Sequence, residues 1–124
     1  MIAHSLPDAA FGRAEGMHGA TFIVNVTFFR EKLNDKNIIV NIGLAREVLK
    51  AVLAPLNYQN LDRKTEFEGK LTTTEFLCRY IFDQLCDVIA DGMLGDDGKA
   101  LSRLRVTLQE SHVARVWYEG ALAR

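Results

Sequence analysis

Three titratable side chains stand where the hydrophobic patterning calls for apolar ones. His4 lies in phase with Ile2 and Leu6 in "MIAHSL", and His18 lies in phase with Phe22, Val24 and Val26 in "HGATFIVNV". Glu110 continues the row Leu104, Val106, Leu108. Each ends an apolar row, where a strand would emerge from a core into a pocket or interface. A titratable group placed there needs a partner: a metal, a carboxylate, a ligand or a backbone group. Glu75 is a fourth polar candidate, although its spacing from Thr72 is that of a capping box, which is structural.

Two histidines suggest zinc. Structural zinc takes four protein ligands and catalytic zinc three. The position two residues beyond His18, on the same strand face, is Ala20. Glu15 and His112 are conceivable substitutes that no spacing favours, and His112 falls at a turn where it is expected to be exposed. The expectation is no metal and no cofactor.

The elements that must position these groups follow from periodicity. "MIAHSL" reads as a short strand, residues 7–17 as a loop holding Pro7, Gly12 and Gly16, and residues 18–30 as one long strand. A polar turn (31–37) leads to the extended "IIV" at 38–40. "GLAREVLKAVLAP" then switches to a helical stripe of Leu44, Val48, Leu49, Val52 and Leu53, which Pro55 stops. A polar connection at 57–70 precedes the clearest helix, "TTTEFLCRYIFDQLCDVIA", with Phe76, Leu77, Tyr80, Ile81, Leu85 and Val88 on one face. "DGMLGDDGK" reads as a turn or loop, and strands at 104–110 and 113–120 close the chain. The order β-β-α-α-β-β predicts an α+β fold: an antiparallel sheet with two helices on one face.

The chain has 124 residues, which suits a single domain over 1–124. Charged residues make up 25%, hydrophobic ones 48%, and the net charge is -1, so no nucleic-acid or membrane partner is expected. The N-terminus has no basic region followed by a long apolar core, as a signal peptide would. Cys78 and Cys86 fall in one helix about 12 Å apart, too far to bridge. Reduced thiols and a cytoplasmic location are expected.

The ordered motifs resemble the T-fold family of 6-pyruvoyl tetrahydropterin synthase and 6-carboxytetrahydropterin synthase, nearly from end to end. "AHSL" resembles the family's first zinc histidine, "HGATFIVNV" its His-Gly-His strand, and "LNYQNLD" its Leu-Asp-His-x-x-Leu-Asn. "TTTEFLCRYIFDQL" resembles the Thr-x-Glu helix start, and "LQES" with Tyr118 resembles the Glu-Thr…Tyr ending. The resemblance implies that His4 and His18 match two zinc ligands while Ala20 replaces the third. It also implies that Ala14, Asn57 and Tyr58 stand where the family has its catalytic Cys, Asp and His.

On the same resemblance the pterin-reading residues remain: Glu110 as anchor carboxylate, with Thr73, Thr74 and Glu75 at the helix start. A 2-amino-4-oxopyrimidine edge offers two adjacent N–H donors, which one ionised carboxylate accepts together. The implied function is binding of a pterin or purine-like heterocycle between subunits of a homo-oligomer, a hexamer of two stacked trimers, without the parent synthase reaction. Rows at 21–29 and 113–119 are expected to pair between subunits. The alternatives are different chemistry on a similar ring, using Tyr58, His4 or His18, and an oligomeric protein with a vestigial pocket.

Overall fold

Where the sequence alternates, the chain extends, and the phase of alternation decides which side chains reach the core. The computed structural model describes residues 1–122, so the last two residues of the expected 1–124 domain lie outside the described residues. Strands β1 (Ile2–His4) and β2 (His18–Ala20) pair antiparallel, with His4 opposite His18 and Ile2 opposite Ala20. Strands β3 (Ile23–Arg30), β4 (Leu101–Ser111) and β5 (Ala114–Ala121) form an antiparallel sheet in the order β3-β4-β5. Leu104, Val106 and Leu108 on the central strand are buried, and Val24, Val26 and Phe28 on β3 pack against the same core.

The helices α1 (Ile42–Leu53), α2 (Thr74–Ala90) and α3 (Gly95–Lys99) lie between β3 and β4 in sequence. α2 packs across β4 and β5 and carries α1 beside it. Leu77, Ile81, Leu85 and Ile89 form its buried stripe. The result is the expected α+β architecture of antiparallel strands and covering helices. Among the described residues no helix is long and apolar enough to cross a membrane.

Several local expectations are corrected. The strand expected over 18–30 is two strands, because the segment changes partners: β2 pairs with β1, and β3 with β4. Its phase survives the break, since Ala20 is buried and Phe22 packs on the core. Residues 38–40 form no strand. Asn34 Oδ1 accepts the N–H groups of Lys36 and Ile38 at 2.9 and 3.2 Å, and Asn37 takes φ 62, so the chain curls instead of extending.

The 57–70 connection is not simply polar. Short 3-10 turns at Leu61–Arg63 and Thr65–Phe67 bury Leu61 and Phe67, which are too sparse to show a period. The loop at 7–17 contains 3-10 turns over Ala9–Glu15, kinked at Gly12, and α3 lies where a turn was expected. On α1, Leu44 is exposed and Ala45 takes its place inside. Cys78 and Cys86 are free, as their spacing requires.

The start of α2 matters most for the site. Thr73, not Thr72, is the N-cap: its Oγ1 accepts the Phe76 N–H at 3.1 Å. The Thr72–Glu75 capping box therefore does not form, and Thr72 is released for another partner.

Candidate functional site

β1 and β2 place His4 and His18 directly opposite one another, and their rings meet edge to face with centroids 4.6 Å apart. His4 is only 4% exposed, and its Nδ1 lies 3.0 Å from Thr72 Oγ1. His18 Nδ1 donates to the Gly16 carbonyl oxygen at 2.8 Å. A carbonyl only accepts, so the neutral His18 ring carries its proton on Nδ1 and offers Nε2 as an acceptor.

Burial pushes the His4 pKa below 6.5, and the neighbouring His18 adds to that effect. The Thr72 contact and the carboxylates of Asp62 and Glu110 pull the other way without reversing it. His4 is thus a neutral imidazole at physiological pH.

Asp62 belongs to this group, although nothing in the sequence periodicity marks it as a site residue. Its carboxylate accepts the Ser5 N–H at 3.1 Å and the Ser5 hydroxyl at 2.5 Å, tying the Leu61–Arg63 turn to the end of β1. The Ala3 N–H donates to the Gln59 carbonyl at 3.0 Å, which continues that tie along the strand. The one available signal was the terminal acid of "LNYQNLD", which has no period to mark it. Thr72 has the spacing of a helix cap, but its partner is His4, 68 residues away.

Glu110 sits at a bulge. Gln109 pairs with Arg115 and Ser111 with Ala114, leaving Glu110 as the extra residue. Bulges re-aim side chains, and Glu110 is exposed while the preceding in-phase residue, Leu108, is buried. Thr73 and Thr74 are half-buried and Glu75 is exposed at the first turn of α2, immediately after Thr72. The tertiary fold therefore joins His4, His18 and Thr72 by direct contact. It brings Asp62 and Glu110 within electrostatic reach of His4, and it sets residues 73–75 alongside.

The other positions lie apart from that cluster. Ala14 is half-buried, and its carbonyl accepts the Leu6 N–H at 3.1 Å. Asn57 and Tyr58 are exposed beside the first residue: the Met1 amino group donates to Asn57 Oδ1 at 3.0 Å, and the Tyr58 N–H donates to the Met1 carbonyl at 2.7 Å. Ala20, opposite Ile2, supplies no donor atom. His112 is exposed in the β4–β5 turn. Among the described residues no three His, Cys, Asp or Glu side chains gather as a metal-holding group. A zinc centre with three protein ligands does not fit this donor set.

The fold is one already seen in solved structures. It superposes on Caenorhabditis elegans 6-pyruvoyl tetrahydropterin synthase with a TM-score of 0.77 at 22% identity, covering 97% of this chain and 89% of that one. A Plasmodium vivax 6-pyruvoyltetrahydropterin synthase structure, a catalytic-residue variant with glutamate replaced by alanine, gives 0.75 at 15% identity over 97% and 90% of the two chains. Sequence adds the family. Residues 1–121 match the 6-pyruvoyl tetrahydropterin synthase family, and the chain belongs to it. The 6-pyruvoyl tetrahydrobiopterin synthase of Dictyostelium discoideum is 31% identical over 83 residues, 65% of this chain, and the match spans 62% of that relative's length.

Proposed function

We propose that this protein binds a pterin or purine-like heterocycle through Glu110, with Thr73, Thr74 and Glu75 lining the same site, and does not carry out the parent synthase reaction. The observation that carries the reading is the convergence of the β4 bulge and the start of α2 on the His4–His18 pair. A carboxylate at that bulge can accept two adjacent ring N–H groups, and a helix N-terminus beside it offers further donors. Residue chemistry stands against the parent reaction. Alanine at positions 14 and 20 moves no proton and holds no metal, and Asn57 is no carboxylate. Tyr58 offers a phenol where the parent reaction calls for an imidazole.

The protein works as a ring-shaped homo-oligomer, a hexamer, in the cytoplasm. Support for the ring comes from the outer strands β3 and β5, each paired on one edge among the described residues. The free thiols fit a reducing compartment.

Fluorescence titration with neopterin tests the binding. We expect saturable binding to wild type that weakens at least about tenfold in Glu110→Ala, the effect of losing a charge-assisted pair. Equal binding to both proteins, or none to wild type, overturns the assignment.

One observation favours a second reading, in which catalysis persists through a different acid. The Plasmodium vivax synthase is described with a catalytic glutamate. Here Glu15 ends the 3-10 segment just before Gly16, whose carbonyl holds His18. Synthase turnover by wild type that is lost in Glu15→Ala would establish that reading in place of the first.

A further inference from the structure

The β3-β4-β5 sheet has one face against the helices and one turned away from them. Leu104, Val106 and Leu108 point into the core, so alternation turns Arg103 and Arg105 to the other side. The register sets Arg115 opposite Gln109, Trp117 opposite Thr107 and Glu119 opposite Arg105, all on that same side. β3 adds no charge there, since Arg105 faces Thr27 and Arg103 faces Phe29. Three cations therefore stand against one anion on this face, in a chain whose net charge is -1.

Glu119 fixes the two β4 guanidiniums without using them up. Arg105 Nε donates to Glu119 Oε1 at 2.8 Å and Arg103 Nε donates to Oε2 at 3.2 Å, with Nη2 of each arginine on the same oxygen as its Nε. Among the described residues Nη1 of neither takes part in these contacts. The Phe29 and Trp117 rings flank Arg105, with centroids 5.8 and 5.9 Å from its guanidinium carbon. Arg115 is exposed and has no ion pair among the described residues. Guanidiniums held along one edge offer the rest of the fork, already ordered, to an oxyanion.

In the ring proposed above, on which the assignment rests, this face acquires a direction. A helix layer is about 10 Å thick. When the β3 and β5 edges of successive chains close into a barrel, that layer fits on the longer, outer circumference, and the other face lines the axis. Every chain then brings its excess of cations to the axis, where like charges repel. We propose that this wall binds a small multivalent oxyanion on the axis, held by Arg103, Arg105 and Arg115 of several chains, and that the bound anion favours assembly.

Calorimetric titration with citrate, at an ionic strength held constant with NaCl, tests it, with light scattering on the same samples. We expect the hexamer to bind about one citrate for each three-chain ring. Tripolyphosphate should compete for the same site, and the tighter of the two identifies the anion as a carboxylate or a phosphate. An anion that binds only the ring stabilises it by mass action, so the hexamer should persist to about tenfold lower protein concentration in citrate than in NaCl of equal ionic strength. Arg115→Gln, which breaks no ion pair within the chain, should weaken citrate binding tenfold or more. Lys99→Gln, on α3 among the covering helices, should leave it unchanged. A hexamer that binds no citrate, binds one for every chain, or binds it equally after Arg115→Gln overturns the axial site and leaves the ring standing. A monomer overturns both.

Discussion

A half-buried phenol on a carboxylate shows how single side chains tune this molecule. Tyr80 donates its phenol to Glu66 Oε2 at 2.7 Å and packs edge to face on Phe67. Burial first, and then the Glu66 hydrogen bond and charge, push its pKa up from 10.0 to about 12. The unfolded chain ionises Tyr80 from about pH 10, whereas the folded chain keeps the proton until about 12. In that window the folded state binds more protons, so the contribution is full below the lower value and is lost as pH rises through the upper one. Alkaline titration of tyrosinate absorbance should therefore show one of the three tyrosines ionising near 12, and Tyr80→Phe should abolish that step. If all three ionise together near the unperturbed value, the Glu66 contact does not persist in solution. Burial acts on His4 too, holding its pKa down although two carboxylates are near.

At the scale of elements, α2 decides the site because its first turn sits beside His4. Thr73 caps the helix, while Thr72, one residue earlier, is turned inward to the imidazole. Thr73→Ala should cost about 1 kcal/mol of stability in urea unfolding, with Thr73→Ser close to wild type. Glu75→Gln should stay within about 0.5 kcal/mol, since Glu75 is exposed and closes no capping box. A larger loss for Glu75→Gln than for Thr73→Ala would mean that the helix starts one residue earlier. The other end of the sheet is equally specific. A Cβ at Gly120 would stand 2.9 Å from Phe82 Cζ, so glycine lets the Phe82 ring close onto β5 and meet Tyr118 edge to face with centroids 4.7 Å apart.

For the whole molecule, the edges of the three-stranded sheet govern assembly. β4 is paired on both sides, and β3 and β5 are each paired on one. Trp117 on β5 and Ile23 on β3 are 62% and 58% exposed. Long edges with exposed apolar residues invite pairing with another chain, and closing them into a ring removes both. Light scattering at micromolar concentration should report a hexamer. A monomer would overturn the ring and, with it, any site assembled between subunits.

The class of fold and the inward rows are legible along the chain, because strand and helix periods are local and "LRVTLQE" or "TTTEFLCRYIFDQLCDVIA" displays its period without help. The sequence also singled out His4, His18 and Glu110, since a titratable residue in an apolar row is visible from spacing alone. Only the tertiary structure decided the partners. That Thr72 serves His4, that Asp62 braces Ser5 and that one expected strand divides between two sheets all depend on segments far apart in the chain, whereas Glu110 leaves its row at a bulge inside the β4–β5 hairpin. Tyr58 makes the same point, because its left-handed backbone is held by Met1, 57 residues away. Periodicity records which face a residue takes; the contact it finds there depends on how distant elements pack.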